Sequence, residues 1–499
     1  MAGSAPIHDN SAAPAAAIDG ASSNAVPLFV DVDGTLTRAD ISLESLVRVA
    51  RKGFVACFAV MLWLLRGRAM AKAMAARRDP LDPASLPYRA DVLELIAQAR
   101  AAGRPVILAS ASHWRNIHRI AGYLGLVDGI IATRGRANLK GEAKLAAIRS
   151  RVGQHGAFDY VGDSRADNCL WSAARQGWSV RHVPTGSAVE RLGEPSMSLA
   201  RAAMKAVRPH QWAKNALVLV PAFTSGLFME PRVLLAAAAA AGLMSLIASS
   251  IYLVNDLLDM DADRAHRTKK HRPLANGDLS IPVALGLSLL LGSAGLGGGW
   301  LLGGVELTLW LLAYMAITTA YSFRLKSVMV GDAIVLATLY TIRILIGGVA
   351  IGVALSFWLL LFSVFLFLSL AYLKRYIEMR DSIAPDRLLS GRGYVGSDLD
   401  VVMMSGVASG MVAILVLALF AHDPDTARHY AAPQLLWLLC LPLLYWINRL
   451  WMMARRGEVD GDPVAFAIRD RRSIAVGAAM AAIFLAALYG PAAAGIAAA

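Results

Sequence analysis

Charged residues are scarce in this 499-residue chain, at 17%, and cysteines are scarcer still, at three. Cys57, Cys169 and Cys440 lie far apart and form no CxxC or Cys/His spacing. They read as reduced, buried thiols, which excludes a disulfide framework and a structural zinc site. The first 26 residues are rich in Ala and Ser and lack the basic n-region and apolar h-region of a signal peptide. They read as a disordered leader, and the segment after them is expected to fold in the cytoplasm. The glycine cluster "GLGGGWLLGG" (Gly295–Gly304) does not follow a strand or open a soluble helix. It reads as close helix packing or a turn, not as a nucleotide loop.

What the chain does have is apolar length. Hydrophobic residues make up 57% of it, and its net charge is +13. Its Lys and Arg come in blocks between apolar runs, a pattern that fits anionic lipid and phosphorylated substrates and not nucleic acid. Beyond about residue 210, long apolar segments dominate. Nine spans are predicted, at roughly 213–229, 233–255, 282–302, 305–321, 331–351, 354–374, 401–421, 432–451 and 473–495. A helix needs about 20 apolar residues to cross the hydrocarbon core. With the N-terminus inside, the inner loops hold Arg264, Arg267, Lys269, Lys270 and Arg272, then Arg324 and Lys326. Next come Lys374, Arg375, Arg380, Arg387 and Arg392, and finally Arg455, Arg456, Arg469, Arg471 and Arg472. The outer loops hold only Arg232 and Arg428. This alternation satisfies the positive-inside rule and implies a multi-pass protein of the cytoplasmic membrane with its C-terminus outside.

The second span runs into "NDLLDMDADR" (Asn255–Arg264), which carries four aspartates. On a continuous helix Asp256, Asp259 and Asp263 fall at about 0°, 300° and 340°, and Asp261 at about 140°. Three carboxylates would converge and one would not. Converged charge at a membrane boundary normally holds a cation, and oxygen ligands shared with phosphates suit Mg²⁺. The basic run that follows, with Lys269, Lys270 and Arg272, is placed to clamp a pyrophosphate. Arg272 is the favoured residue, because Pro273 and Gly277 fix the local chain. Deeper in the bundle, Arg343 falls one turn after Tyr340 in the fifth span. An intramembrane arginine reads as functional, or as paired with a carbonyl or carboxylate across the bundle.

The N-terminal part has a different grammar. In "VPLFVDVDGTLTRADIS" a short apolar run ends in Asp31, with Asp33 two residues on and Gly34–Thr35 making the turn. This is a strand with carboxylates at its C-terminal end, where open α/β sheets place their chemistry. "RPVILASAS" supplies a second strand ending at Ser110, "NLKGEAK" offers Lys140 and Lys144, and "FDYVGDSRADN" a third strand ending at Asp163, with Asp167 beside it. These motifs resemble the haloacid dehalogenase superfamily, mostly phosphatases. The resemblance implies Asp31 as nucleophile and Asp33 as general acid/base. It implies Mg²⁺ on Asp31, Asp33 and Asp163, and phosphate anchors at Ser110 and at Lys140, favoured over Lys144 by spacing. Residues 41–90 occupy the place of a cap. Their run "GFVACFAVMLWLLRGRAMAKAMAARR" reads equally as a buried cap helix and as one that leans on a membrane.

"NDLLDMDADR" itself resembles the signature of the UbiA-type intramembrane prenyltransferase superfamily, which implies a helical bundle and a Mg²⁺–diphosphate site. A second Asp pair, usual in that superfamily, is missing here, and Asp332 stands alone. "VRPHQWAKN", "YSFRLK", "KRYIEM" and "DPVAFAIRDRRS" resemble the polyprenyl-phosphate phosphoribosyltransferase branch. The resemblance implies a Mg²⁺ site at Asp256, Asp259 and Asp263, and phosphate contacts from Arg272, Lys326, Arg343, Lys214 and Lys374. It leaves Asn255, Tyr321, Asp332 and Tyr340 to line the substrate.

The predicted architecture is thus a leader (1–26), an α/β phosphatase domain (27–200, cap about 41–90) and an all-α membrane transferase bundle (205–499). The expected partners are a polyprenyl phosphate, phosphoribosyl pyrophosphate and the membrane, with no nucleic acid; oligomeric state is left open. The expected activity is phosphoribosyl transfer followed by removal of the 5-phosphate. The alternatives are an aromatic prenyltransferase with an unrelated phosphatase, and a membrane-anchored binding protein.

Overall fold

The structure is a computed structural model that describes residues 26–134, 139–183, 188–193, 197–381, 392–424, 430–459 and 461–490. The leader up to residue 25, Arg387 and Arg428 lie outside the described residues. The chain divides into two compact units. The first comprises residues up to Ala206 together with Asp256–Leu285, and the second Val207–Asn255 with the chain from Gly286 onward.

The first unit is built on a six-stranded parallel sheet of order β3-β2-β1-β4-β5-β6. The strands are β1 (Leu28–Val30), β2 (Val106–His113), β3 (Gly129–Thr133), β4 (Asp159–Gly162), β5 (Gln176–Ser179) and β6 (Glu190–Arg191). A parallel sheet is covered on both faces, so its strands read as apolar runs. Alternation along β1 sends Leu28 and Val30 to one apolar cluster and Phe29 to the other. Leu28 of β1 pairs with Val106 of β2 on one side and Asp159 of β4 on the other. The strand order therefore reverses beside β1, and a crevice opens at the carboxyl ends of these strands.

Three helices follow the first strand: α1 (Ile41–Ala50), α2 (Phe54–Leu65) and α3 (Arg68–Arg78). They close around Leu46, Val49, Val60, Trp63, Ala71 and Ala75. Asp40 caps α1 by accepting the Leu43 N–H at 3.0 Å. The sheet is flanked by α4 (Ala90–Ala101), α5 (Trp114–Leu124), α6 (Glu142–Val152) and α7 (Asn168–Ala173), and α8 (Leu199–Ala206) leaves the domain.

The second unit is helical. After α9 (Val220–Thr224) come α10 (Pro231–Leu258), α11 (Met260–Ala265) in the first unit, α12 (Ile281–Phe323), α13 (Gly331–Ile351), α14 (Phe357–Arg380), α15 (Leu399–His422), α16 (Cys440–Arg456), α17 (Pro463–Arg469) and α18 (Arg471–Tyr489). Among the described residues seven helices are long and apolar enough to cross a membrane. The expected count of nine is not reached by this measure. The third and fourth expected spans are the two halves of α12, which meet at a kink with non-helical backbone at Gly303 and Gly304, where the break between them was expected. The first, 213–229, is no continuous helix: it is a 3₁₀ stretch (Pro209–Leu219), the five-residue α9 and a 3₁₀ turn (Leu227–Met229). Pro209 and Pro221 each remove a backbone donor there, which shortens the regular runs.

Candidate functional sites

In the first unit the crevice above β1, β2 and β4 gathers the carboxylates. Asp31 follows β1 and Asp163 follows β4, and with Asp167 they place carboxylate oxygens within 4.8 Å of one another. Gly34 makes this possible. Its φ is +78°, and a Cβ there would lie 2.4 Å from Asp163 Oδ2; any side chain would strain the turn and push into the cluster.

Lys144, on α6, reaches into the site. Its Nζ lies 2.9 Å from Asp31 Oδ1, donates to the Tyr160 hydroxyl at 3.1 Å and stands 3.7 Å from Asp167 Oδ1. It is 3% exposed, whereas Lys140 is exposed. Spacing alone favoured Lys140; helix α6 begins at Glu142 and aims the residue on its first turn, Lys144, at the strand ends. Asp167 accepts from Tyr160 at 2.8 Å and from the Ser164 backbone and hydroxyl at 3.1 and 3.0 Å, which fixes the loop carrying Asp163.

Asp33 belongs to a second set of contacts. Its Oδ2 accepts from Ser110 at 2.8 Å, and its Oδ1 from Ser112 at 2.9 Å and from the Ile41 N–H at 2.8 Å. Ser110 thus touches Asp33, and Asp33 stands outside the three-carboxylate group. Ser112, Tyr160 and Asp167 were not assigned roles from sequence. Ser112 was legible in principle, since two residues beyond Ser110 on a strand end is the same face.

Burial raises the Asp31 carboxyl to about 8, with Lys144 opposing the rise and Asp167, Asp33 and Asp163 adding to it. Burial, then Asp167, lifts Asp163 to about 6. Burial alone would lower the Lys144 pKa, but Asp31 and Asp167 outweigh it and hold it above the ordinary lysine value. Carboxyls that retain protons near neutrality mark a cluster short of positive charge. A hard divalent cation with oxygen ligands, such as Mg²⁺, fits that deficit, and Asp31, Asp163 and Asp167 could hold it.

The acidic segment also lies in the first unit. Helix α10 ends at Leu258 and Asp259 is the N-terminal flank of α11, so the three aspartates do not share one continuous helix. Asp256 and Asp263, both 2% exposed, still converge: Arg272 Nη1 lies 3.2 Å from Asp256 Oδ1 and 2.6 Å from Asp263 Oδ2. Burial raises the Asp263 carboxyl, and Arg272 opposes the rise. Asp259 is half-buried, and the three do not close to the spacing of the Asp31 cluster. Their donor chemistry, carboxylate oxygen gathered on a cation, suits Mg²⁺ as well. Asp261 faces elsewhere, to Arg48 at 3.1 Å and Arg51 at 2.7 Å.

In the second unit Lys214 and Lys374 converge on Asp462, at 2.5 and 3.5 Å. Burial would raise Asp462, but Lys374 and Lys214 outweigh it and hold it at about 2. Arg343 is buried on α13. It donates to Asn215 at 3.1 Å, to the Tyr314 hydroxyl at 2.9 Å and to the Leu339 carbonyl, and it lies over the rings of Tyr314 and Tyr340. Asp332, 0% exposed, forms an ion pair with the equally buried Arg375 at 2.7 Å and accepts from Tyr394 at 2.6 Å. Tyr321 accepts from Arg392 at 2.8 Å. Lys326 is half-buried in the 3₁₀ turn before α13, and Asn255 is half-buried near the end of α10. The roles of Asp462, Arg375 and Tyr394 were missed from sequence. The signal for Arg375 was Asp332 itself, since a carboxylate inside the membrane demands a countercharge.

A parallel sheet with acidic strand ends, in one chain with membrane-length helices and an NDxxDxxxD segment, defines a membrane enzyme of two parts. The UbiA prenyltransferase family model matches residues 217–467, half of the chain, and the chain belongs to that family. A haloacid dehalogenase-like hydrolase model matches residues 28–171. The chain is 34% identical to the protein y4nM of Sinorhizobium fredii, over 93% of this chain and 91% of that one. It is 35% identical to the nodulation protein NoeC of Azorhizobium caulinodans, over 56% of this chain and 92% of NoeC. It is 33% identical to the decaprenyl-phosphate phosphoribosyltransferase of Mycobacterium tuberculosis, over 56% of this chain and 91% of that enzyme.

Proposed function

We propose that the UbiA-type part transfers 5-phosphoribose from phosphoribosyl pyrophosphate to a polyprenyl phosphate at the cytoplasmic face of the inner membrane. The observation that carries this reading is the state of Asp332. Its charge is committed to Arg375 and its second oxygen to Tyr394. That leaves Asp256, Asp259 and Asp263 as the acidic set, without the second Asp pair that superfamily members acting on prenyl diphosphates usually carry. The likeness to decaprenyl-phosphate phosphoribosyltransferases supports the same branch.

When bound, Mg²⁺ would neutralise charge on the leaving pyrophosphate. Asp256, Asp259 and Asp263 would hold it. Arg272 is ready to exchange its carboxylate partners for pyrophosphate oxygens, and Lys326 adds a cation. Lys214 and Lys374 would hold a phosphate of the acceptor or of the ribose. A phosphate nucleophile needs no general base at this step. Arg343 and Tyr340 shape the bundle interior, and Asn255 and Tyr321 flank the substrate.

The N-terminal part would then hydrolyse the 5-phosphate. Asp31 attacks phosphorus to form an aspartyl phosphate, and Asp33, set by Ser110 and Ser112, handles the proton of the leaving oxygen and then of the attacking water. Lys144 balances charge at Asp31 throughout.

The test is incubation of membranes with labelled phosphoribosyl pyrophosphate and polyprenyl phosphate. A labelled lipid whose 5-phosphate persists in an Asp31→Asn variant is the expected result. No labelled lipid, with transfer from a prenyl diphosphate to an aromatic acceptor instead, would reject the reading.

A further inference from the structure

Helix α2 is apolar on every side. Its sequence, FVACFAVMLWLL, has no charged residue. Val60 and Trp63, with Ala56 and Ala59 beside them, pack inward against α1 and α3. At 100° per residue these four occupy an arc of about 100°. Val55, Phe58, Met61, Leu62 and Leu65 occupy an arc of about 120° on the outer side. They are 85%, 57%, 51%, 40% and 78% exposed. A cap helix facing water carries polar residues on its outer face, and one that is apolar all round has a partner there.

We propose that this outer face lies in an anionic lipid bilayer, at the boundary between headgroups and acyl chains, and delivers lipid-borne phosphomonoesters to the Asp31 site. Three observations select lipid as the occupant. The helix has 12 residues, too few to span a bilayer and enough to lie in its surface. Exposed arginines flank the apolar face in sequence, Arg66 and Arg68 directly after α2 and Arg77 and Arg78 at the end of α3; their charge complements anionic headgroups. The same chain carries seven membrane-length helices among its described residues. The cap is therefore tethered beside a bilayer, and a weak interfacial helix acts there at high effective concentration.

The substrate half of the proposal rests on the phosphatase reading above; the insertion half does not. Contrary to the expectation of three buried thiols, Cys57 is exposed on α2, a helix whose outer face is left uncovered, while Cys169 and Cys440 are only partly exposed. The full chain carrying Cys169→Ser and Cys440→Ser is labelled at Cys57 with an environment-sensitive fluorophore and reconstituted in phosphatidylglycerol–phosphatidylcholine vesicles. Shallow doxyl-labelled lipids are expected to quench the probe, more weakly in phosphatidylcholine alone. Phe58→Asp with Leu62→Asp is expected to abolish quenching. That double variant should hydrolyse p-nitrophenyl phosphate as before while losing most hydrolysis of a vesicle-borne phosphomonoester. An unquenched probe in the parent overturns insertion, as does cross-linking of Cys57 between two copies in place of quenching. Quenching with equal hydrolysis of the vesicle-borne substrate by both proteins upholds insertion and overturns the substrate reading.

Discussion

Glu44 and Arg264 stand 220 residues apart and share a bidentate ion pair, Nη1 to Oε2 at 2.9 Å and Nη2 to Oε1 at 2.5 Å. Their side chains are 4% and 7% exposed. Glu44 lies in the first turn of α1, a helix whose first N–H is held by Asp33. Arg264 follows Asp263 directly and also donates to the Ala275 carbonyl at 2.8 Å. Arg48 and Arg51, further along α1, take Asp261. Gly277 completes the fit: with φ +77° it brings its Cα so close to Arg38 that a Cβ would meet the Arg38 carbonyl at 2.7 Å. The acidic segment is thereby seated on α1.

Removing one partner of such a pair strands a buried charge. Glu44→Ala is expected to destabilise the first unit by about 3–5 kcal/mol. Glu44→Gln should cost less, because one hydrogen bond survives. Thermal unfolding of the detergent-solubilised chain measures both. Unchanged midpoints would show that the pair contributes nothing.

Lys144 and Lys140 are expected to part company in hydrolysis assays. Lys144→Ala removes the cation beside Asp31 and should lower kcat for phosphomonoester hydrolysis by about 10²–10³, the usual loss for one buried electrostatic contact. Lys140→Ala, at an exposed position, should stay within a few-fold of the parent. The reverse order would reassign the phosphate anchor.

Metal binding at the Asp31 cluster is expected to depend on pH. Asp31 sits at about 8 and Asp163 at about 6 in the metal-free protein. Below these values the ligands hold protons that a divalent cation must displace. Apparent Mg²⁺ affinity should rise between pH 6 and 8, by up to about tenfold per unit per proton displaced, and level off above. The linked effect on stability has the opposite sign. A carboxyl raised from 3.8 to about 8 keeps its proton in the fold while the unfolded chain has lost it, so the metal-free unit becomes less stable as pH rises through that window. Mg²⁺ titration by calorimetry at three pH values tests the first, and unfolding in chelator the second.

Asp332 and Arg375 give a test in the bundle. Asp332→Asn leaves the fully buried Arg375 with only the partly exposed Glu378 as a countercharge and should destabilise the second unit by up to about 3–5 kcal/mol. Asp332→Asn combined with Arg375→Met should recover much of that loss, since a buried pair exchanged for neutral groups is often near neutral in stability. Unfolding midpoints of the two variants decide it. Equal losses would mean that the pair is not coupled.

Much of this protein is determined by local chemistry. Asp31, Asp33 and Gly34 declare a strand end and a left-handed turn within four residues. Ser110 and Asp163 are each placed by a strand of their own. The long apolar runs after residue 210 require a membrane, whatever their neighbours do. Period and backbone preference act over a few residues, so these features are legible without a partner. What only the tertiary structure decided are the pairings. Lys144 over Lys140, Arg375 for Asp332, Lys214 and Lys374 on Asp462, and Arg264 on Glu44 all join segments far apart in the chain. The same holds for the first expected span, where Pro221 cuts a run that composition alone reads as whole. A charge can be counted in a sequence, but its partner is chosen by which helices come within a few ångströms of it, and burial then makes that choice binding.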